Sequence, residues 1–266
     1  MKAGINLYSI RSLIQTEAEL VSSLHKLRAA GYSYVQYSGA EFDAERIARA
    51  GEESGMAVYL THVPMERIIR DTEKLMEEHA RFGCKNIGLG MMPLKIFADE
   101  KESKKTIGAL ERAAEKMRKN GFAFFYHHHH FEFFKRDGET VLEYMLKNAP
   151  HINFTADTYW LQYGGASIGE FMKKLKGRMG CVHLKDYKIE KRRGKNGEIE
   201  FGPVFAPLGE GTIDFKTLVP EMKELGTEYY FVEQDNASEF ADPIAEVARS
   251  MEYIKKESVS YTHLTL

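Results

Sequence analysis

FAFFYHHHHFEF, residues 122–133, is an apolar run that empties into four imidazoles and a carboxylate. Short apolar runs of this kind mark strands buried on both faces of a parallel sheet, and the polar residues crowd the end where the chain leaves that sheet. Three later segments repeat the arrangement: TADTYW around Asp157, VHLKDY around His183 and FVEQD around Glu233. With Glu132 of the first string, four acidic or imidazole side chains stand at the ends of four successive predicted strands. A closed parallel barrel delivers strand ends to one rim, and a divalent cation needs several carboxylate and imidazole donors converging on one point.

Outward from that string, strand-like and helix-like segments alternate along the chain. The strand candidates are Ala3–Ser9, Tyr34–Tyr37, Ala57–His62, Asn86–Leu89, Phe122–His127, Ile152–Ala156, Gly180–Leu184 and Tyr229–Val232. Helix punctuation separates them. Thr16 with Glu19 forms a capping-box pattern for a helix ending before Gly31, and Asp43 can cap a helix that stops near Gly55. Pro64 opens a third helix that Gly83 closes. Further helices are expected from about Glu100 to Gly121, Glu139 to Asn148, Ile168 to Lys176, Asp214 to Leu225 and Asp242 to Lys256. Eight β-α units fit a single (β/α)8 TIM barrel over residues 1–257. An open doubly wound sheet fits less well, because no glycine-rich phosphate turn follows any strand.

Composition agrees with one ordinary globular domain. The 266 residues are 43% hydrophobic and 29% charged, and 37 basic against 39 acidic residues give a net charge of -2. The charges are interspersed apart from a basic run at Lys188 to Lys195, so neither a nucleic-acid partner nor a membrane is expected. Cys84 and Cys181 sit in apolar strand contexts and read as buried, reduced thiols of a cytoplasmic protein. The sequence leaves homo-oligomerisation open. The final stretch SVSYTHLTL, residues 258–266, continues no pattern and reads as a non-native or disordered tail.

The longest connection, Lys185 to Thr212, follows the seventh strand and reads as a lid or substrate wall. Its Arg192, Arg193 and Lys195 have the charge to bind a phosphate, although a solvated charge run explains them better. In the histidine string, strand alternation puts His127 and His129 on one face and His128 and His130 on the other, where the second pair hydrogen-bonds at a crowded rim.

YHHHHFEF, ADTYW, VHLKDY, PLGEGTIDF and FVEQD together resemble the sugar phosphate isomerase/epimerase family of xylose isomerase-like TIM barrels, from INLYSIR near the start to the last helix. In that family the first string usually reads YHNHxFEF, so His128 stands here where Asn is common. The resemblance implies a metal site built from Glu132, Asp157, His183 and Glu233, with His127 or His129 as the alternative donor on the fifth strand. It also implies that Glu132 and Glu233 both bind metal and move protons.

Physical reasoning points the same way. Three carboxylates and one imidazole suit one Mn²⁺, Mg²⁺, Co²⁺ or Zn²⁺ ion with positions left for oxygen ligands, and burying them without a cation is costly. Lys185 shares its side of the strand with His183 and is expected to bind a substrate oxygen, or else to pair with Asp186 or Asp157. Trp160 offers a ring on which the C–H face of a sugar stacks. Tyr8, Arg11, Gln36 and His62 add polar groups to the same rim, Tyr8 and His62 being expected to join His127, His129 and Trp160 in binding substrate. The expected activity is metal-dependent sugar or sugar phosphate isomerisation or epimerisation by proton abstraction beside a carbonyl. Dehydration or lysis of inososes or 3-keto-glycosides is the neighbouring reading, and a non-catalytic sugar-binding barrel is the reading outside the enzyme class.

Overall fold

The computed structural model describes residues 2–194 and 196–262. Among them, eight parallel strands close into a barrel: β1 (Lys2–Asn6), β2 (Tyr34–Tyr37), β3 (Ala57–His62), β4 (Asn86–Leu89), β5 (Ala123–His127), β6 (Ile152–Asp157), β7 (Cys181–Leu184) and β8 (Tyr229–Val232). Neighbours in sequence are neighbours in the barrel, and β8 returns to pair with β1 from Lys2↔Tyr229 to Ile5↔Val232. The strands agree with the sequence reading to within a few residues. The largest departure is at β1, where pairing ends at Asn6 and the chain turns into a 3-10 helix over Leu7–Leu13.

Capping chemistry sets the helices as their sequences require. The Thr16–Glu19 capping box opens the helix Glu17–Ala30, which ends on the left-handed Gly31, and Asp43 caps Ala44–Ser54. The single helix expected between Pro64 and Gly83 is two, Met65–Arg70 and Thr72–Arg81, broken at Asp71 with φ -118° and ψ 32°. A short helix not expected from sequence, Thr158–Tyr163, starts directly on Asp157. The last helix runs Pro243–Thr262, beyond the expected stop at Lys256, and residues 263–266 of the expected tail lie outside the described residues.

Inside the barrel, Leu60, Phe125, Cys181 and Phe231 form a small apolar cluster, with Tyr34, Tyr59 and Tyr229 packed beneath it. Gly4 on β1 makes room for it, since a Cβ there would lie 2.5 Å from the Phe231 ring. The larger core lies between the outer faces of the strands and the helices. A bulge in the β2–β3 ladder, where Val35 pairs with Val58 but Gln36 with Leu60, puts Tyr59 and Leu60 both on the inner side. The phase of β3 changes there, so His62 arrives inside the mouth. Thr61 turns outward, where its hydroxyl meets His79 Nε2 at 2.7 Å.

The connection after β7 is an antiparallel hairpin with arms Asp186–Arg193 and Ile199–Ala206, paired from Asp186↔Ala206 to Arg193↔Ile199. Asp186 organises its return. Its two carboxylate oxygens accept four backbone N–H groups, from Tyr187, Gly209, Gly211 and Ile213, at 2.8–3.2 Å. Gly211 packs so closely on that carboxylate that a side chain there would collide with it. This linkage ties the HLKD segment to the PLGEG segment.

Candidate metal centre

His127 at the end of β5, Asp157 at the end of β6, His183 on β7 and Glu233 just past β8 bring one ligand atom each to within 4.8 Å of one another, all four residues being buried. Three of the four expected ligands thus lie in the cluster, and its fourth member is His127, the alternative donor on the fifth strand, rather than Glu132. The chain leaves the sheet at His127 and makes a 3-10 turn over Phe131–Phe133, so Glu132 is not at a strand end. Its Oε1 accepts the Tyr126 hydroxyl at 2.5 Å and its Oε2 accepts the His129 N–H at 2.9 Å. Glu132 is fully buried with both oxygens engaged by Tyr126 and His129, and it lies outside the cluster. Burial raises its pKa to about 7 despite those two donors.

Each of the four cluster residues is held from outside the cluster by one atom and turns the other toward its fellow members. Asp157 Oδ1 accepts the Trp160 N–H at 2.9 Å, capping the helix that starts there. His127 Nδ1 lies 3.1 Å from the Gly90 carbonyl, which must accept its N–H, and His183 Nε2 lies 2.7 Å from Gln36 Oε1. Asn6 Nδ2 donates to Glu233 Oε1 at 3.0 Å. These contacts assign the tautomers, because a carbonyl can only accept; His127 Nε2 and His183 Nδ1 are then lone pairs turned inward.

Lone pairs therefore face lone pairs. His183 Nδ1 is 2.6 Å from Glu233 Oε2 and 3.6 Å from Asp157 Oδ2, and His127 Nε2 is 3.4 Å from the same Asp157 oxygen. Despite the short approach, His183 Nδ1 and Glu233 Oε2 are buried without a hydrogen bond of acceptable geometry. Convergent acceptors of this kind fit a cation. Two imidazoles and two carboxylates on an outer layer of amide and carbonyl partners are the donor set of a divalent site. Burial works against a proton on His183, but the Glu233 and Asp157 carboxylates outweigh it and push its pKa up to about 9. A cation competes with that proton for the same lone pair.

Lys185, expected to face the site, is buried with its ammonium 2.7 Å from Asp235 Oδ1 and 3.9 Å from Glu233 Oε2. Its ion-pair partner is neither Asp186 nor Asp157. The ammonium lies 5.0 Å from the Trp160 ring centre and 4.8 Å from that of Phe205, which the hairpin brings in. Desolvation opposes its charge, yet Glu233, Asp235 and Asp157 raise its pKa, so it stays an ammonium. Burial depresses His62 and His129 to about 3, leaving both neutral.

The other expected contacts divide. His62 lies beside the cluster, its ring centre 5.6 Å from that of His127, and His129 and Trp160 meet at 5.1 Å on the rim with His129 Nδ1 and Trp160 Nε1 unpaired. Tyr8 is an exposed rim residue under Arg11, whose guanidinium also holds the Asp235 carbonyl. Gln36 is fully buried, its Oε1 2.7 Å from His183 Nε2 and its Nε2 2.8 Å from His62 Nε2. His128, fully buried, accepts the Asp157 N–H on Nε2 at 3.1 Å, whereas His130 meets Trp160 through ring stacking. Arg192 pairs with Glu200 out on the hairpin, and Lys195 lies outside the described residues. Sequence reasoning missed Asn6, Gly90 and Asp235; the first and last stand inside INLYSIR and FVEQD, strings that already carried the fold.

Cys84 and Cys181 are both free and buried, and no helix among the described residues is long and apolar enough to cross a membrane.

Among known proteins, an inosose dehydratase of Clostridium botulinum (strain Eklund 17B / Type B) is 29% identical over 109 residues, 38% of this chain and 37% of that protein. The chain thus matches little more than a third of the length of that curated relative. A solved sugar phosphate isomerase/epimerase from Parabacteroides distasonis superposes with a TM-score of 0.78 at 22% identity, covering 96% of this chain and 98% of that one. A xylose isomerase-like TIM barrel protein from Mycobacterium smegmatis, solved in complex with magnesium, superposes with a TM-score of 0.69 at 15% identity over 97% of each chain. The sequence profile of the xylose isomerase-like TIM barrel family matches residues 24–257, nearly the whole barrel. The chain belongs to the xylose isomerase-like TIM barrel family.

Proposed function

We propose that the protein is a divalent-metal-dependent isomerase or epimerase of a sugar or sugar derivative, acting by proton transfer beside a carbonyl. The convergence of bare His127, Asp157, His183 and Glu233 donor atoms carries this reading. Those four residues would hold the ion, which when bound polarises the carbonyl and acidifies the neighbouring C–H. Glu233, kept ionised by Lys185 and His183 against the cost of burial, is the group suited to take that proton, and Asn6 fixes its orientation. The Lys185 ammonium donates to the oxygen on which negative charge grows. Glu132 drops out of the catalytic set because its carboxyl is sealed under Tyr126 and His129. Return of the proton by Glu233 to the adjacent carbon gives isomerisation, whereas delivery of a proton to the opposite face of the same carbon by a second group gives epimerisation.

Elimination is the second reading, favoured by the partial likeness to inosose dehydratase. The first step is shared. The C–H electron pair enters the carbonyl system, Glu233 holds the proton, and the β-hydroxyl then leaves as water on protonation. Incubating the manganese-loaded protein with ketoses, inososes and 3-keto-sugars in D₂O tests both. Deuterium beside the carbonyl of a recovered isomer supports the first reading, loss of water with deuterium uptake supports the second, and no exchange in any substrate rejects proton abstraction.

A further inference from the structure

A cavity of about 530 Å³ opens beside the metal centre, between the segments that follow β2, β3 and β4. It shares two walls with the centre. His62 lines it while stacking against His127, and Gly90 lines it while its carbonyl holds His127 Nδ1. The remainder of its wall is mostly apolar, with Phe42, Pro64, Met65 and Met91 among the lining residues. Enclosures of about 300–1,000 Å³ with apolar walls and a few polar groups are typical of small-molecule sites. A free monosaccharide, hydroxylated all round, gains little from such a wall, whereas an aromatic or alkyl substituent buries apolar surface there. Methionines at two of the positions let the wall adapt to a planar or irregular group.

Charge narrows the class further. Arg67 is the basic residue of this wall, and its guanidinium is already paired with Glu78 at 3.0 Å and Asp71 at 3.5 Å. Glu41 lines the same cavity. A phosphate seated there would meet a neutralised arginine and a carboxylate, so the cavity suits an uncharged group.

We propose that this cavity is a second substrate subsite that takes an apolar aglycone, and hence that the substrate is a non-phosphorylated glycoside-like sugar carrying an aryl or alkyl substituent. This rests on the sugar-enzyme reading above and names its substrate class. The test is calorimetric titration of the manganese-loaded protein with methyl and phenyl glucosides of both anomeric forms. For one anomer the phenyl glucoside should bind about tenfold or more tightly than the methyl glucoside, the gain expected from burying one ring. Met91→Glu, which places a carboxylate at an exposed point of the apolar wall, should erase that preference while leaving methyl glucoside and manganese binding unchanged. Equal binding of phenyl and methyl glucosides, or a preference that survives Met91→Glu, overturns the subsite and leaves the sugar reading intact. Manganese binding without any glucoside binding overturns the subsite, while the sugar reading stands or falls on the D₂O exchange.

Discussion

His183 Nδ1 and Glu233 Oε2 stand 2.6 Å apart in a buried mouth, and neither has a hydrogen bond of good geometry. Two acceptors that close require a positive charge between or beside them, either a proton or a metal ion. Because Gln36 takes the other imidazole nitrogen and Asn6 the other carboxylate oxygen, the two atoms cannot turn away.

The ligand on β5 is the first point to check. His127→Ala should lose at least tenfold in manganese affinity, measured by titration with a chelator, while the protein stays folded. Glu132→Gln should keep stoichiometric metal, since its carboxyl points away from the cluster. The reverse pattern would restore Glu132 as ligand and move His127 to a supporting role.

Supporting residues should show in metal binding as well. Gln36→Leu removes the acceptor that sets the His183 tautomer, and a loss of about 10–100-fold in metal affinity is expected with little change in thermal stability. An unaltered affinity would mean that His183 does not need Gln36 to present Nδ1.

The barrel and most of the site were legible because strand ends carry their own signal: a short apolar run closing on a polar residue. Glu132 falls outside the cluster for a specific reason. Phe131 and Phe133 flank it as a continuing strand would, yet the β5–β6 ladder stops at His127↔Thr155 and the chain turns. Alternation counted through the histidines therefore overran the sheet. Asp235 was hidden differently: in FVEQD it neighbours a stronger candidate, and only the fold shows Lys185 reaching it rather than Asp186. The role of Asp186 was equally invisible, since its four backbone partners lie up to 27 residues downstream.

That carboxylate carries a prediction of its own. Asp186→Asn turns one of two acceptor oxygens into a donor facing backbone N–H groups of Gly209, Gly211, Tyr187 or Ile213. Leaving one or two buried donors unsatisfied costs about 2–3 kcal/mol. Chemical denaturation should register that loss, and hydrogen exchange should quicken at Gly209–Ile213 first. Unchanged exchange there would show that the segment is held by other contacts.

Outside the metal centre, His79 makes a pH prediction. It is fully buried, its Nδ1 lying 2.6 Å from the Leu75 carbonyl and its Nε2 taking the Thr61 hydroxyl, with the Phe42 ring stacked at 5.0 Å. Burial lowers its pKa from 6.5 to about 4, so between those values the unfolded chain binds a proton that the folded chain refuses. Its contribution to stability is therefore fully present above pH 6.5 and is lost as pH falls toward 4, by about 3 kcal/mol at the limit. His62, His128 and His129 at the mouth act in the same direction and His183 in the opposite one, so the isolating measurement is the difference between the wild type and His79→Gln. Denaturant unfolding at pH 7 and at pH 4.5 should show the wild type losing about 2 kcal/mol more than the variant over that interval. Parallel losses in the two proteins would mean that His79 accepts its proton within the fold.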